Sequence, residues 1–312
     1  MDDFFCDNLD FGKYHGLGND YIIINDIKWS IPDEKKSKLA IKLCKFHFSI
    51  GADGLIYTCA SEKGDIGMRI FNNDGLEAEM CGNGIRCFSK YVYENNIVKK
   101  EEIKIETLKG IMVAKLNIVD SIVKSVEIDM GPPILKCEEV PVILDSPVDR
   151  CVNESLVIID KIFNFTAVSM GNPHAVIFVQ NQFNDDELNM YGATIESHEI
   201  FPNKANVEFV KVISDEEAIV RVFERGVGIT NSCGTGACAS VVAGVILGKF
   251  KEKTPITIHN DGGDLIITYT GKRVLMEGSI EKVFVGILEK IKIWGFSSHE
   301  VQGMVKLQRF RI

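Results

Sequence analysis

Arg69–Gly84 reads RIFNNDGLEAEMCGNG and Arg221–Gly236 reads RVFERGVGITNSCGTG. Each begins with an arginine in a short apolar run, passes through a polar turn, and twelve residues on reaches a cysteine followed by Gly-x-Gly. Working outward, the likeness continues. Gly18-Asn19 is followed by Asp20-Tyr21-Ile22-Ile23-Ile24, and Gly171-Asn172 by Pro173-His174-Ala175-Val176-Ile177, an offset of 153. At the same offset Ala52-Asp53-Gly54-Leu55-Ile56 matches Ala205-Asn206-Val207-Glu208-Phe209. Landmarks in one order, drifting by a single residue, mark a duplicated domain; the period is far beyond the roughly 20–50 residues of solenoid repeats.

Each half reads as short strands with one largely apolar helix. Short strand-like runs predict strands at Tyr21–Ile24, Met68–Phe71, Ile103–Glu106, Ile111–Leu116 and Val123–Ile128. In the second half they predict Ala175–Val179, Ile219–Phe223, Ile256–His259, Asp264–Tyr269 and Val274–Glu277. A helix is expected over Glu34–Phe46, and after each cysteine, where Ile85, Phe88, Tyr91, Val92 and then Ala237, Val241, Val245, Ile246 recur at helical spacing. The expected class is α/β (α+β): two pseudo-symmetric domains, each a mixed or antiparallel sheet wrapped around a central helix. The expected boundaries are 1–130, a Pro-rich linker at 131–150, and 151–312 with a C-terminal extension.

Composition bounds the function. The 312 residues are 46% hydrophobic and 25% charged, with a net charge of −9. Basic residues nowhere gather into a nucleic-acid footprint, and no apolar run approaches the roughly 18–20 residues that span a bilayer. The start, Met1-Asp2-Asp3-Phe4-Phe5-Cys6-Asp7, is acidic where a targeting segment would be basic, so a cytoplasmic location is expected. No P-loop and no GxGxxG after a strand announces a nucleotide. Nine cysteines, at 6, 44, 59, 81, 87, 137, 151, 233 and 238, show neither CxxC pairs nor zinc-ligand spacing; no metal is expected, and a disulfide framework is not.

Cys81 and Cys233 stand apart from the rest. Both precede a glycine-flanked helix start, where unpaired backbone N–H groups and the helix dipole favour a thiolate and would hold a carboxylate. Cys87 and Cys238, farther along the same helices, and the remaining five read as packing residues. Two thiols at matched places of a duplication suit inversion at a carbon centre. One base removes a proton from one face, an acid returns one to the other, and each group must serve in both protonation states. Such thiols would also lie close enough to oxidise to a disulfide.

These residues resemble the diaminopimelate epimerase family. The segments are Tyr14-His15-Gly16-Leu17-Gly18-Asn19-Asp20-Tyr21, Asn72-Asn73-Asp74-Gly75 with Cys81-Gly82-Asn83-Gly84-Ile85-Arg86, and Ser169-Met170-Gly171-Asn172-Pro173-His174. Glu196-Ser197-His198-Glu199 through Ala205-Asn206, and Glu224-Arg225-Gly226 leading to Cys233-Gly234-Thr235-Gly236-Ala237-Cys238, complete the likeness over about residues 11–286. The resemblance implies a homodimeric, pyridoxal-free enzyme that interconverts LL- and meso-diaminopimelate for lysine and peptidoglycan synthesis. No cofactor and no partner beyond that small molecule are implied. Cys81 would be the base toward the LL isomer and Cys233 toward the meso isomer. Asn83 with the amides of Gly82, Gly234 and Thr235 would hold the reacting end. Asn19, Asn72, Asn172, Asn206 and Arg225 would grip the rest, while His174 and Glu224 would assist proton movement and bind the amine. Leu76, Gly54 and Ile229 depart from the family pattern, and the chain runs about 25 residues past its usual end, through Ile291-Lys292-Ile293-Trp294 to Arg309-Phe310-Arg311-Ile312. A two-cysteine racemase of another amino acid such as histidine, or a binding protein on the same fold, remains open at this level.

Overall fold

A computed structural model describes residues 4–146 and 148–293. The described residues divide into two compact units, one formed by 4–127 together with 279–293, the other by 128–278.

The first unit opens with β1 (Phe4–Gly16), β2 (Asn19–Ile24), α1 (Asp26–Trp29), α2 (Asp33–Cys44), β3 (Gly54–Cys59) and β4 (Ile66–Asn72). It continues through β5 (Glu77–Ala78), α3 (Gly82–Glu94), β6 (Glu102–Thr107), β7 (Gly110–Val119) and β8 (Ile122–Gly131), the strand that carries the chain onward. The second contains β9 (Glu154–Ile158), β10 (Lys161–Ser169), β11 (Pro173–Phe178), α4 (Asp185–Glu196), β12 (Asn206–Ser214) and β13 (Glu217–Glu224). Then come β14 (Gly228–Thr230), α5 (Gly234–Ile246), β15 (Pro255–Asn260), β16 (Gly263–Tyr269) and β17 (Val274–Ser279), before β18 (Glu281–Ile293) rejoins the first unit.

The duplication seen in the sequence is a duplication of strand pairing. β1–β2 is antiparallel, β2–β3 parallel across a helical crossover, β3–β4 antiparallel, β4–β6 parallel and β6–β7 antiparallel. β10–β11, β11–β12, β12–β13, β13–β15 and β15–β16 repeat that series of orientations in order. The crossover helix of the second unit, α4, is not among the expected elements. Its mark is a capping box, in which the Asn184 side chain accepts from Glu187 N and Glu187 accepts from Asn184 N.

Helices α3 and α5 are the centres of the two units. Every residue from Asn83 to Val92 is buried, as is every residue from Gly236 to Gly244. A helix buried on all faces needs small residues where strands press on it. Gly236 meets that need: a Cβ there would lie 2.6 Å from Glu208 Oε1. Separate apolar cores flank the two units' sheets, one around Leu9, Ile22, Leu39, Leu55 and Leu288, the other around Phe163, Phe165, Tyr191 and Phe209.

Three expectations are corrected. The stretch 131–150 is no free linker: Ile134 bridges Ser169, Lys136 bridges Arg150, and Val140 and Val142 enter the second core. The C-terminal stretch does not stay with the second half, because β18 pairs antiparallel with β1 from Phe4↔Ile293 to His15↔Glu281. The reason is symmetry of need. In the second unit β9 covers the outer edge of β10 as a hairpin, and in the first β18 takes the matching place beside β1. Third, Cys137 and Cys151 form a disulfide with Cα atoms 5.5 Å apart. Fourteen residues of separation gave no pairing signal in the sequence; the Lys136–Arg150 bridge brings them together. The extension from residue 294 lies outside the described residues.

Candidate active site

Cys81 is the N-cap of α3, extended at φ −140° and ψ 126°, and its carbonyl accepts the first helical bond from Ile85 N at 2.9 Å. Its side chain meets residues that β2 delivers. Tyr21 Oη stands 2.9 Å from Cys81 Sγ, and Asn19 Oδ1 3.8 Å. Tyr21 also donates to Asn19 Oδ1 at 2.5 Å. The other end of Asn19 is tied down, Nδ2 donating to Asp53 Oδ2 at 2.6 Å, where Asp20 N also donates. From α3, Asn83 Nδ2 reaches Asn19 Oδ1 at 3.4 Å, while Asn83 Oδ1 accepts from the fully buried Arg86 at 2.6 Å. Burial first, and the neighbouring Cys81 next, hold the Tyr21 hydroxyl well above the ordinary phenol value, so it keeps its proton. Asn72 is exposed and works through its backbone, closing the β4–β5 turn with Leu76 and Gly75. Its side chain is not drawn into this cluster.

In the second unit Cys233 is the N-cap of α5 and is 7% exposed. Its Sγ lies 3.4 Å from Thr235 Oγ1, which accepts from Asn172 Nδ2 at 3.3 Å. Asn172 Oδ1 faces His174 Nε2 at 3.1 Å, and His174 Nδ1 faces Glu208 Oε1 at 2.7 Å, both ring and carboxylate fully buried. Among the described residues Glu208 Oε2 has no hydrogen-bond partner. Glu224 accepts from the Thr230 hydroxyl, and burial raises its carboxyl above the usual range. An easily ionised thiol was expected at both helix starts. At Cys233 burial, then the carboxylates of Glu224 and Glu208, push the thiol well above its ordinary value, outweighing the opposing pull of the Thr235 hydroxyl and the Gly236 amide. Desolvation defeats the helix dipole there.

The remaining expected residues divide. Asn206 is buried and uses both ends of its carboxamide inside the unit, Nδ2 donating to Pro173 O at 3.0 Å and Oδ1 accepting from Arg225 N at 2.9 Å. It is a strut between β11 and the end of β13. The Arg225 side chain is exposed and donates to Asn203 O at 3.1 Å. Burial pushes Cys44 and Cys87 up to about 12, as inert packing thiols. Among the described residues no group of three or more His, Cys, Asp and Glu is arranged to hold a metal, and no helix is long and apolar enough to cross a membrane. Tyr21, Asp53, Arg86 and Glu208 were not singled out from sequence. Yet the 153-residue offset sets Tyr21 against His174 and Leu55 against Glu208. A charged residue on a buried strand, at a place where its repeat holds leucine, is a signal that could have been used.

Solved structures share this duplicated architecture. The crystal structure of the Bacillus anthracis phenazine biosynthesis protein of the PhzF family matches 93% of this chain and 100% of its own, with a TM-score of 0.65 and 16% identity. A hydroxyproline epimerase from Agrobacterium vitis matches 92% and 93%, with a TM-score of 0.65 and 12% identity. The chain is thus an α/β protein of the fold those structures display, with a cysteine capping the central helix of each unit. The family model for diaminopimelate epimerase matches residues 11–136 and 166–283. The diaminopimelate epimerase of Pelotomaculum thermopropionicum is 46% identical over 279 residues, 89% of this chain and 98% of that protein; that of Halothermothrix orenii is 48% identical over 280 residues, 89% and 97%. The chain belongs to the diaminopimelate epimerase family.

Proposed function

We propose that this chain is an isomerase that interconverts LL- and meso-2,6-diaminopimelate without pyridoxal phosphate, using Cys81 and Cys233 as its two acid–base groups. The observation that carries the reading is that each unit caps its buried central helix with a cysteine whose Sγ meets a hydroxyl delivered locally, Tyr21 in one and Thr235 in the other. In the LL-to-meso direction the Cys81 thiolate takes the α-proton from one face, and the Cys233 thiol donates its proton to the opposite face. The turnover leaves Cys81 as thiol and Cys233 as thiolate; the return reaction, or exchange with solvent, restores the first state.

The elevated Cys233 thiol suits the donor role, since it arrives protonated. For the reverse direction Glu224, its own carboxyl raised by burial, is the group able to take that proton. The N–H groups of Gly82, Gly234 and Thr235 at the two helix starts, with Asn83, hold the reacting carboxylate and stabilise negative charge developing beside it. His174 and Glu224 bind the amine, Asn19 and Asn172 grip the rest of the substrate, and Arg225, with its exposed guanidinium, pairs the distal carboxylate. Asn72 and Asn206 contribute indirectly, as turn and strut. The reading requires the two sulfurs to address opposite faces of one bound carbon. It also carries a cytoplasmic enzyme acting as a homodimer, which sedimentation of the purified chain would check.

The test is α-proton exchange. Full-length enzyme with LL-diaminopimelate in D2O is expected to incorporate deuterium and yield the meso isomer, and Cys81→Ala and Cys233→Ala each to abolish epimerisation. Undiminished epimerisation in either variant would exclude the two-thiol mechanism, and no turnover of LL-diaminopimelate by the parent would exclude the substrate.

A further inference from the structure

A two-base mechanism makes a demand that ordinary acid–base catalysis does not: the same sulfur must be well accommodated both as thiol and as thiolate. Around Cys81 the hydrogen-bonding inventory can be worked through, because neighbours fix every ambiguous amide. The Asp53 carboxylate only accepts, so Asn19 turns Nδ2 to it at 2.6 Å and leaves Oδ1 facing Tyr21. The Arg86 guanidinium only donates, so Asn83 turns Oδ1 to it at 2.6 Å and aims Nδ2 at Asn19 Oδ1, 3.4 Å away. The Tyr21 hydroxyl therefore sits between two acceptors, with one proton to give: Asn19 Oδ1 at 2.5 Å and Cys81 Sγ at 2.9 Å.

Resting on the reading of Cys81 as an acid–base group, we propose that the Tyr21 hydroxyl is a two-position donor that satisfies this cysteine in both of its protonation states. When Cys81 is a thiol, its S–H donates to Tyr21 Oη and the phenolic proton points to Asn19 Oδ1. When Cys81 is a thiolate, the phenolic proton rotates about the C–O bond to the sulfur, and Asn83 Nδ2 covers Asn19 Oδ1. No atom is left without a partner in either state, and no proton leaves the phenol. A hydrogen bond to the ionised form favours that form, so Tyr21 stabilises the base while its rotor leaves the acid undisturbed. The device belongs to one unit. At the matched place in the other, His174 is committed to Asn172 and Glu208, and Cys233 meets Thr235 instead.

Tyr21→Phe removes the hydroxyl and keeps the buried ring. The charges around this corner stay in place: Asp53 before β3, Asp20 on β2 paired with Lys13 on β1 at 2.6 Å, and Arg86 on α3. Alkylation of the intact chain by iodoacetamide across pH, resolved by peptide mass spectrometry, reads each cysteine separately. In Tyr21→Phe the pH midpoint for Cys81 is expected to rise by about one unit, a roughly tenfold slower reaction at neutral pH, while the Cys233 midpoint stays put. A 3,5-difluorotyrosine at position 21, a stronger donor, is expected to move the Cys81 midpoint the other way. Equal Cys81 midpoints in parent and variants, or both cysteines shifting together, would overturn the proposal. Because alkylation needs no turnover, an enzyme inactive on diaminopimelate would sink the functional reading while this measurement still judged Tyr21. If the enzyme is active, the acid limb of kcat/KM on the LL isomer is expected to follow the Cys81 midpoint.

Discussion

Tyr21 and His174 hold the same place in the two units, two residues beyond Asn19 and Asn172, but the phenol touches its cysteine directly while the imidazole is held between Asn172 Oδ1 at 3.1 Å and Glu208 Oε1 at 2.7 Å. A duplicated scaffold thus carries two chemically different half-sites. One offers a phenol donor to a sulfur; the other sets its sulfur beside the Thr235 hydroxyl and within the field of Glu224 and Glu208. On the Cys233 side, burial and the two carboxylates keep the thiol protonated.

Glu208 is expected to matter through His174. A buried carboxylate that grips one ring nitrogen fixes the ring's orientation. Glu208→Gln keeps the shape but gives up the charged acceptor at Nδ1 and can turn an amide N–H toward it. Turnover of diaminopimelate is expected to fall roughly 10²-fold, the low end of what positioned acid–base assistance supplies. Circular dichroism should be unchanged and the Cys81 alkylation profile the same as in the parent. A variant with parental kcat at every pH would remove Glu208 from the mechanism.

Glu224 yields a prediction with opposed signs. Its carboxylate is the largest charged contributor holding the Cys233 thiol up. Glu224→Gln removes that charge, so Cys233 should alkylate severalfold faster at neutral pH. Epimerisation starting from the meso isomer should nevertheless drop, on the order of 10²–10⁴-fold, because the proton acceptor for Cys233 is gone. Faster labelling with slower turnover separates this role from simple damage to the fold, which would change both cysteines.

The same two groups set a pH dependence of stability. Glu224 and Cys233 are both raised in the folded chain, so the native state binds more protons than the unfolded state between the two values of each group. Stability then declines as pH rises. The contribution is fully present below the ordinary carboxylate value for Glu224 and below the ordinary thiol value for Cys233, and is lost as pH climbs through the raised values. Thermal midpoints between pH 5 and 9 should fall toward alkali. Glu224→Gln should flatten the lower part of that slope and Cys233→Ser the upper part. Variants with the parental slope would contradict the burial of these charges.

How much of this was legible in the sequence depended on which force was at work. The cysteines, the glycines after them and the strand-like apolar runs around Tyr21 and Ala175 are local signals, and the fold class and most strands follow from them. The β1–β18 pairing is non-local, joining residues nearly the whole chain apart, and periodicity carries no information about which edge a strand will cover. Helix α4 is marked in the sequence by Asn184 and Glu187, but its apolar spacing is too weak to predict a helix there. At the site, Cys233 shows the limit most clearly. Its position at a helix start argues for a low thiol value, but burial and two acids from distant strands reverse it, and burial is not written in any neighbouring residue.

The reassignment of β18 to the first unit can be tested on packing alone. Leu288 is 1% exposed, lies opposite Leu9 on β1, and belongs to the core that includes Ile22, Leu39 and Leu55. Leu288→Ala removes buried methyl groups and leaves a void that a sheet face cannot fully close, so it should cost about 2–4 kcal/mol. Val157, on the edge strand β9, is 70% exposed; Val157→Ala deletes little buried surface and should fall within about 0.5 kcal/mol of the parent. Urea unfolding followed by far-ultraviolet circular dichroism measures both. Near-parental stability for Leu288→Ala would mean that β18 does not close the first unit's sheet, because a strand held only loosely against β1 would leave no cavity when its side chain is trimmed.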